Sequence, residues 1–119
     1  MKQILIIDDS LSIRELVKET LESENFSVNT AENGEQGLKL ANENSYDLII
    51  SDINMPIMNG IEFTIQVRKL AQYQFTPILI LTTEHDVKKK MQGKQAGATG
   101  WLVKPIVAEQ LINTVFRVV

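Results

Sequence analysis

The chain contains no cysteine. That excludes a disulfide framework and any thiolate metal site. No apolar run approaches the ~20 residues that a membrane span needs, so no membrane insertion is expected. The opening residues MKQILIIDD lack a long apolar core followed by a small-residue cleavage site, and no signal peptide is expected. A cytoplasmic location fits both observations. Positive charge is also scarce: 12 Lys and Arg stand against 15 Asp and Glu, for a net charge of −3. Non-specific nucleic-acid binding rests on basic residues that neutralise phosphates, so no nucleic-acid partner is expected. The one basic run, Lys88-Lys89-Lys90, reads as a solvated helix face. There is no linker and no low-complexity stretch, which points to one domain over residues 1–119.

What is present is an ordinary globular composition, 44% apolar. At 119 residues a single core needs no disulfides. Apolar runs alternate with helix-period segments. Gln3–Ile7 reads as a strand ending at Asp8-Asp9. Leu11–Leu21 follows as a helix with Ile13, Leu16, Val17, Thr20 and Leu21 on one face. Ser12 and Glu15 resemble a capping box. Phe26–Thr30 is a weaker strand, and Glu35–Asn42 a helix with Leu38 and Ala41 inward. Asp47–Ser51 is a strand ending at Asp52. Pro56 and Gly60 mark a loop before a helix over Ile61–Leu70. Pro77–Leu81 is a strand ending at Thr82, and Asp86–Ala96 a helix that turns Met91 and Ala96 into the core. Gly100–Val103 is a strand ending at Lys104-Pro105, and Val107–Val118 the final helix.

The order is a βα unit repeated five times. Near-continuous apolar strands suit a parallel sheet covered on both faces by helices. Right-handed crossovers then give an α/β fold with an open, doubly wound five-stranded parallel sheet. In such sheets ligands bind outside the carboxyl ends of the strands. Asp8, Asp9, Asp52, Thr82 and Lys104 all stand at those ends. Taken singly, each has a plain alternative: acids favour a helix N-terminus, Thr82 can cap a helix, and Lys104 can be a surface lysine. Their joint placement points to one site. Three carboxylates this close repel one another unless a cation intervenes. A hard divalent ion such as Mg²⁺, with Mn²⁺ as a second candidate, takes oxygen ligands and phosphate oxygens. Lys104 offers a point charge to a phosphate, Thr82 a neutral donor, and Asp52 a carboxylate that can form an aspartyl phosphate.

Four segments together carry a family likeness: IIDDS, SDINMPIMNG, LTTE and GATGWLVKP. In this order and spacing the chain resembles the receiver domains of two-component response regulators, most of all the single-domain chemotaxis members, and the resemblance implies a flavodoxin-like sheet in strand order 2-1-3-4-5. The resemblance implies that Asp52 accepts a phosphoryl group from a sensor histidine kinase, CheA-like in the chemotaxis case. It implies that Asp9, Asp52 and the backbone carbonyl of Asn54 hold Mg²⁺, with Asp8 close by. Lys104 then pairs with a phosphoryl oxygen, Thr82 turns inward to bond the phosphoryl group, and Trp101 follows it from an outward to an inward rotamer. The bond before Pro105 is expected to be cis. Asn54 and Glu84 flank the path of the hydrolytic water, which implies a short-lived phosphoryl state. The protein is then no enzyme with a separate substrate. It is a monomeric phospho-acceptor that assists its own phosphorylation and dephosphorylation. It signals through a phosphorylation-dependent protein target such as a flagellar switch protein; alternatively it is a phosphate sink or shuttle, a regulator of a non-motor partner, or a scaffold indifferent to phosphorylation.

Some residues depart from the commonest family pattern. Asn59 stands where Asp is frequent and reads as a loop-geometry residue. Thr83 replaces a smaller residue, which narrows access to the phosphoryl group. Trp101 replaces Tyr or Phe, and Ile106 follows Pro105 where Phe is common. Two rivals use similar parts. Phosphatases with an Asp nucleophile carry a second acid two residues on, where this chain has Asn54, which cannot act as a general acid. A flavodoxin-like carrier needs a hydroxyl- and amide-rich phosphate loop after the first strand, and Asp8-Asp9 repel a flavin phosphate.

Overall fold

The apolar runs form a single parallel sheet in order β2-β1-β3-β4-β5. The strands are β1 (Gln3–Ile7), β2 (Ser27–Ala31), β3 (Leu48–Asp52), β4 (Ile78–Thr83) and β5 (Gly100–Lys104). The helices are α1 (Leu11–Glu22), α2 (Gly34–Glu43), α3 (Gly60–Arg68), α4 (Val87–Ala96) and α5 (Ala108–Val118), with a 3₁₀ turn at Ala71–Tyr73. The computed structural model describes residues 1–83 and 86–119. Glu84, expected beside the hydrolytic water, lies outside them. This is the doubly wound, flavodoxin-like architecture expected from the sequence.

Side-chain alternation splits each central strand between two cores. Ile4 and Ile6 of β1 and Leu48 and Ile50 of β3 pack with Val17, Leu21, Leu111 and Val115 of α1 and α5. Leu5, Ile7 and Ile49 face the other way, onto Ala41, Phe63 and Val67 of α2 and α3. Both faces are dry, which is why β1, β3 and β4 have so few polar residues before their ends. The edge strands β2 and β5 are only partly buried. The chain passes from β1 outward to β2 and then back across to β3. That reversal places the ligand crevice at the carboxyl ends of β1 and β3.

Helix starts follow local side-chain chemistry. Asn33 caps α2, accepting from Gln36 N at 2.8 Å. Asn59 caps α3 in a reciprocal box with Glu62, so its loop-geometry role is that of a cap. The capping role expected of Ser12 belongs to Ser10, whose hydroxyl accepts from Ile13 N at 3.4 Å. Ser10 has the extended backbone of a cap residue, whereas Ser12 already lies inside the helix. Two expected core positions also fail. Leu16 is 39% exposed and Met91 is 59% exposed. Helix α4 has little apolar content, and Gly93 is its one buried residue, so it rests on the sheet through backbone and leaves Met91 outside. Among the described residues, no helix is long and apolar enough to cross a membrane.

Candidate functional site

Strand β1 delivers Asp8 to the crevice and β3 delivers Asp52, since the β1–β3 ladder runs in register to Ile7 and Ser51. Asp8 is fully buried and Asp52 nearly so, while Asp9 is exposed. One carboxylate oxygen from each of Asp8, Asp9 and Asp52 lies within 4.8 Å of the other two. Lys104, at the end of β5, reaches across β4 to the same point. Its ammonium stands 3.2 Å from Asp52 Oδ1 and 3.4 Å from Asp8 Oδ2. The Lys104–Pro105 bond is cis.

Backbone donors hold the acids in place. Ser10 N donates to Asp8 Oδ1 at 2.9 Å, and Ile53 N donates to Asp52 Oδ1 at 2.9 Å. The Asp8 main chain is fixed from outside by Arg14, whose guanidinium donates to its carbonyl at 2.8 Å. Helix α3 begins directly against Asp52. A Cβ added to Gly60 would fall 2.0 Å from the Asp52 carbonyl oxygen, so only glycine allows this approach.

The charges are unevenly balanced. Burial, and after it the Asp52 carboxylate, raise the Asp8 carboxyl above its ordinary value, against the lowering effects of Ser10 N and Lys104. Burial would lower the Lys104 ammonium, but Asp52 and Asp8 together outweigh it and hold it above its ordinary value. Asp8 Oδ2 makes no hydrogen bond despite its ion pair, and it is the one such buried side-chain atom among the described residues. One lysine thus leaves a three-carboxylate cluster under-compensated. The donor set is all oxygen, and that is the set a hard divalent cation selects.

Thr82 is buried at the end of β4, and among the described residues its hydroxyl makes only a long 3.4 Å contact with the Thr83 carbonyl. The ladder pairs Ile80 with Trp101 and Thr82 with Val103. Thr82 and Trp101 therefore share one face of the sheet. Trp101 points outward and is 45% exposed. Beside it, under α4, lies a hollow of about 260 Å³ lined by Ile80, Lys94, Gly100 and the indole itself. Asn54 is exposed in the loop after Asp52. Thr83 is exposed at the end of β4.

The lysine run departs from expectation. It is not a uniformly solvated face. Lys89 donates to the Asn54 side chain, and the Lys90 ammonium sits 5.4 Å from the centre of the Trp101 ring. Arg68, silent in sequence, is a second surprise. From the end of α3 it donates to the carbonyls of Tyr73 (2.6 Å), Thr76 (2.7 Å) and Gly97 (3.0 and 2.8 Å). A lone Arg in a helix gives no sequence signal for such a role.

The doubly wound sheet thus gathers three aspartates and a lysine into one acidic site at its carboxyl rim. The chain belongs to the response regulator receiver domain family, whose model matches residues 4–116. It is similar to the response regulator ArlR of Staphylococcus aureus, 39% identical over 112 residues, covering 94% of this chain and 50% of that protein. The chain thus spans about half the length of the curated relatives it matches. Among solved structures it is similar to the chemotaxis response regulator CheY4 of Vibrio cholerae. That match has a TM-score of 0.96 and 50% identity, and covers 100% of this chain and 99% of that one. A two-component response regulator of Clostridium difficile matches with a TM-score of 0.92 at 25% identity, covering 99% of this chain and 95% of that one.

Proposed function

We propose that this receiver domain accepts a phosphoryl group on Asp52 and passes the signal on by protein contact. The observation that carries the reading is the setting of Asp52. Its carboxylate is nearly buried, ion-paired to Lys104 at 3.2 Å and clustered with Asp8 and Asp9.

The donor is the phospho-histidine of a sensor kinase. Asp52 Oδ1 holds both Ile53 N and Lys104, which leaves Oδ2 to attack. As that oxygen bonds to phosphorus, the P–N bond of the donor breaks and its electron pair returns to the imidazole. The Lys104 ammonium is already in place to pair with a phosphoryl oxygen, so no reorganisation is needed at transfer. Asp9, Asp52 and the Asn54 carbonyl would hold Mg²⁺ or Mn²⁺. When bound, the ion neutralises charge on the transferring oxygens. Thr82 offers its loosely engaged hydroxyl to the new phosphoryl group, and the hollow under α4 gives Trp101 room to follow inward. No separate substrate is turned over, so the domain is an acceptor that assists its own chemistry and not an enzyme in the usual sense.

The output reading is chemotaxis, with a flagellar switch component as the target and a monomer in the cytoplasm as the acting form. The 50% identity to CheY4 over nearly its whole length supports it. A second reading, in which the domain serves a non-motor partner, is favoured by the 39% identity to ArlR, a response regulator about twice as long. The acceptor claim is tested with a small-molecule phosphodonor. Label should enter the wild type only with Mg²⁺ present and should be absent from Asp52→Asn. Equal labelling of that variant would defeat the proposal. A pull-down with and without phosphorylation separates the two outputs.

A further inference from the structure

The first turn of α4 is tied to the mouth of the site. Lys89 N donates to Asp86 Oδ1 at 3.1 Å, which fixes its backbone at the helix start. Its ammonium donates to Asn54 Oδ1, a side chain 35 positions earlier in the chain. Asn54 stands two residues past the acceptor and is exposed at the rim. The link therefore crosses from α4 to the loop that follows Asp52. It matters to α4, whose hold on the sheet is otherwise thin, with Gly93 as its single buried residue.

We propose that Lys89 is a positioning residue that acts through Asn54 to slow loss of the phosphoryl group from Asp52. The inference rests on the phospho-acceptor reading above. In that loss a water oxygen bonds to phosphorus. The bond from phosphorus to the Asp52 carboxylate breaks with its electron pair left on the carboxylate, and the water's protons leave with the phosphate or pass to solvent. An amide oxygen at the mouth is an acceptor on which such a water can be held. A charged donor outcompetes a neutral water for that oxygen. With Lys89 on it, Asn54 is engaged and the first turn of α4 is drawn toward the mouth. Without Lys89, the amide oxygen is free to accept from the attacking water.

The test uses the full chain, labelled with radioactive acetyl phosphate and Mg²⁺, freed of donor, and followed as label is lost. Lys89→Ala should lose label about threefold to tenfold faster, the scale of one exposed charge-assisted hydrogen bond. Lys89→Arg retains a charged donor and should stay close to the wild-type rate. In an Asn54→Ala background, Lys89→Ala should add nothing, because its partner atom is gone. An unchanged rate in Lys89→Ala overturns the proposal, and so does the same acceleration in the Asn54→Ala background. A wild type that takes no label on Asp52 removes the acceptor reading itself. A labelled wild type with unmoved decay removes only the role of Lys89.

Discussion

Asp8 sits in an environment that costs the fold stability when its carboxyl is charged. It is fully buried, one of its oxygens lacks a hydrogen bond, and its carboxyl is raised above the ordinary 3.8. A raised carboxyl favours the protonated fold. Its stabilisation is complete below about pH 3.8 and is lost as pH rises through the higher folded value. We expect the metal-free protein to lose stability over that window. Urea melts across mildly acid pH check this, and saturating Mg²⁺ should flatten the profile. Asp8→Asn should raise the metal-free melting temperature by a few degrees and blunt its response to Mg²⁺. Lys104 behaves differently. Its value is raised above 10.5, so its contribution is complete at neutral pH and is lost only in strong alkali. Arg68 is a purely structural counterpart, holding three carbonyls with one guanidinium. Arg68→Ala should cost about 2–3 kcal/mol in denaturant unfolding, since those acceptors lose a charged donor. The acids and Lys104 were legible in the sequence because each closes an apolar strand. Arg68 and Lys89 were not, because a long side chain that crosses between elements leaves no periodic trace.

The elements themselves were legible wherever burial is two-sided. Strands β1, β3 and β4 announce themselves as apolar runs, and the expected boundaries lie within two residues of those observed. Helix α4 was also placed to within one residue, but its buried face was not legible, because a segment reading VKKKMQGKQA has no apolar stripe and its contact with the sheet is made by a glycine, which leaves Met91 outside. Two glycines show how the neighbouring atom decides the outcome. A Cβ at Gly60 meets the Asp52 carbonyl, a backbone atom that cannot give way, at 2.0 Å. Gly60→Ala should cost about 3 kcal/mol or more. A Cβ at Gly93 meets only the terminal methyl of Ile80, at 2.5 Å. Ile80 lines the hollow beside Trp101, so the flexible end of its side chain has space to turn into. Alanine also gains helix propensity of roughly 1 kcal/mol. Gly93→Ala should therefore leave the melting temperature nearly unchanged. It should also diminish the Trp101 fluorescence response to Mg²⁺ with a phosphoryl analogue, because the space for an inward indole is filled.

At the level of the whole molecule, the topology was legible because right-handed crossovers leave few ways to arrange five βα units. The site followed from it, since a sheet that is dry on both faces has only its ends for polar chemistry. A divalent ion that binds the fold and not the unfolded chain should stabilise it by about 2.7 kcal/mol at a hundredfold excess over its dissociation constant. Calorimetry with Mg²⁺, and its reversal by a chelator, checks this. The identity of the output partner was not legible, because the exposed face that a partner would meet is not constrained by packing. Asp52 closes the middle strand of the sheet, whereas Lys104 closes a strand with no neighbour on its far side. On the acceptor reading proposed above, a protein resting on that outer border would lie beside the ammonium and leave the carboxylate uncovered, so loading and read-out would not compete for the same ground.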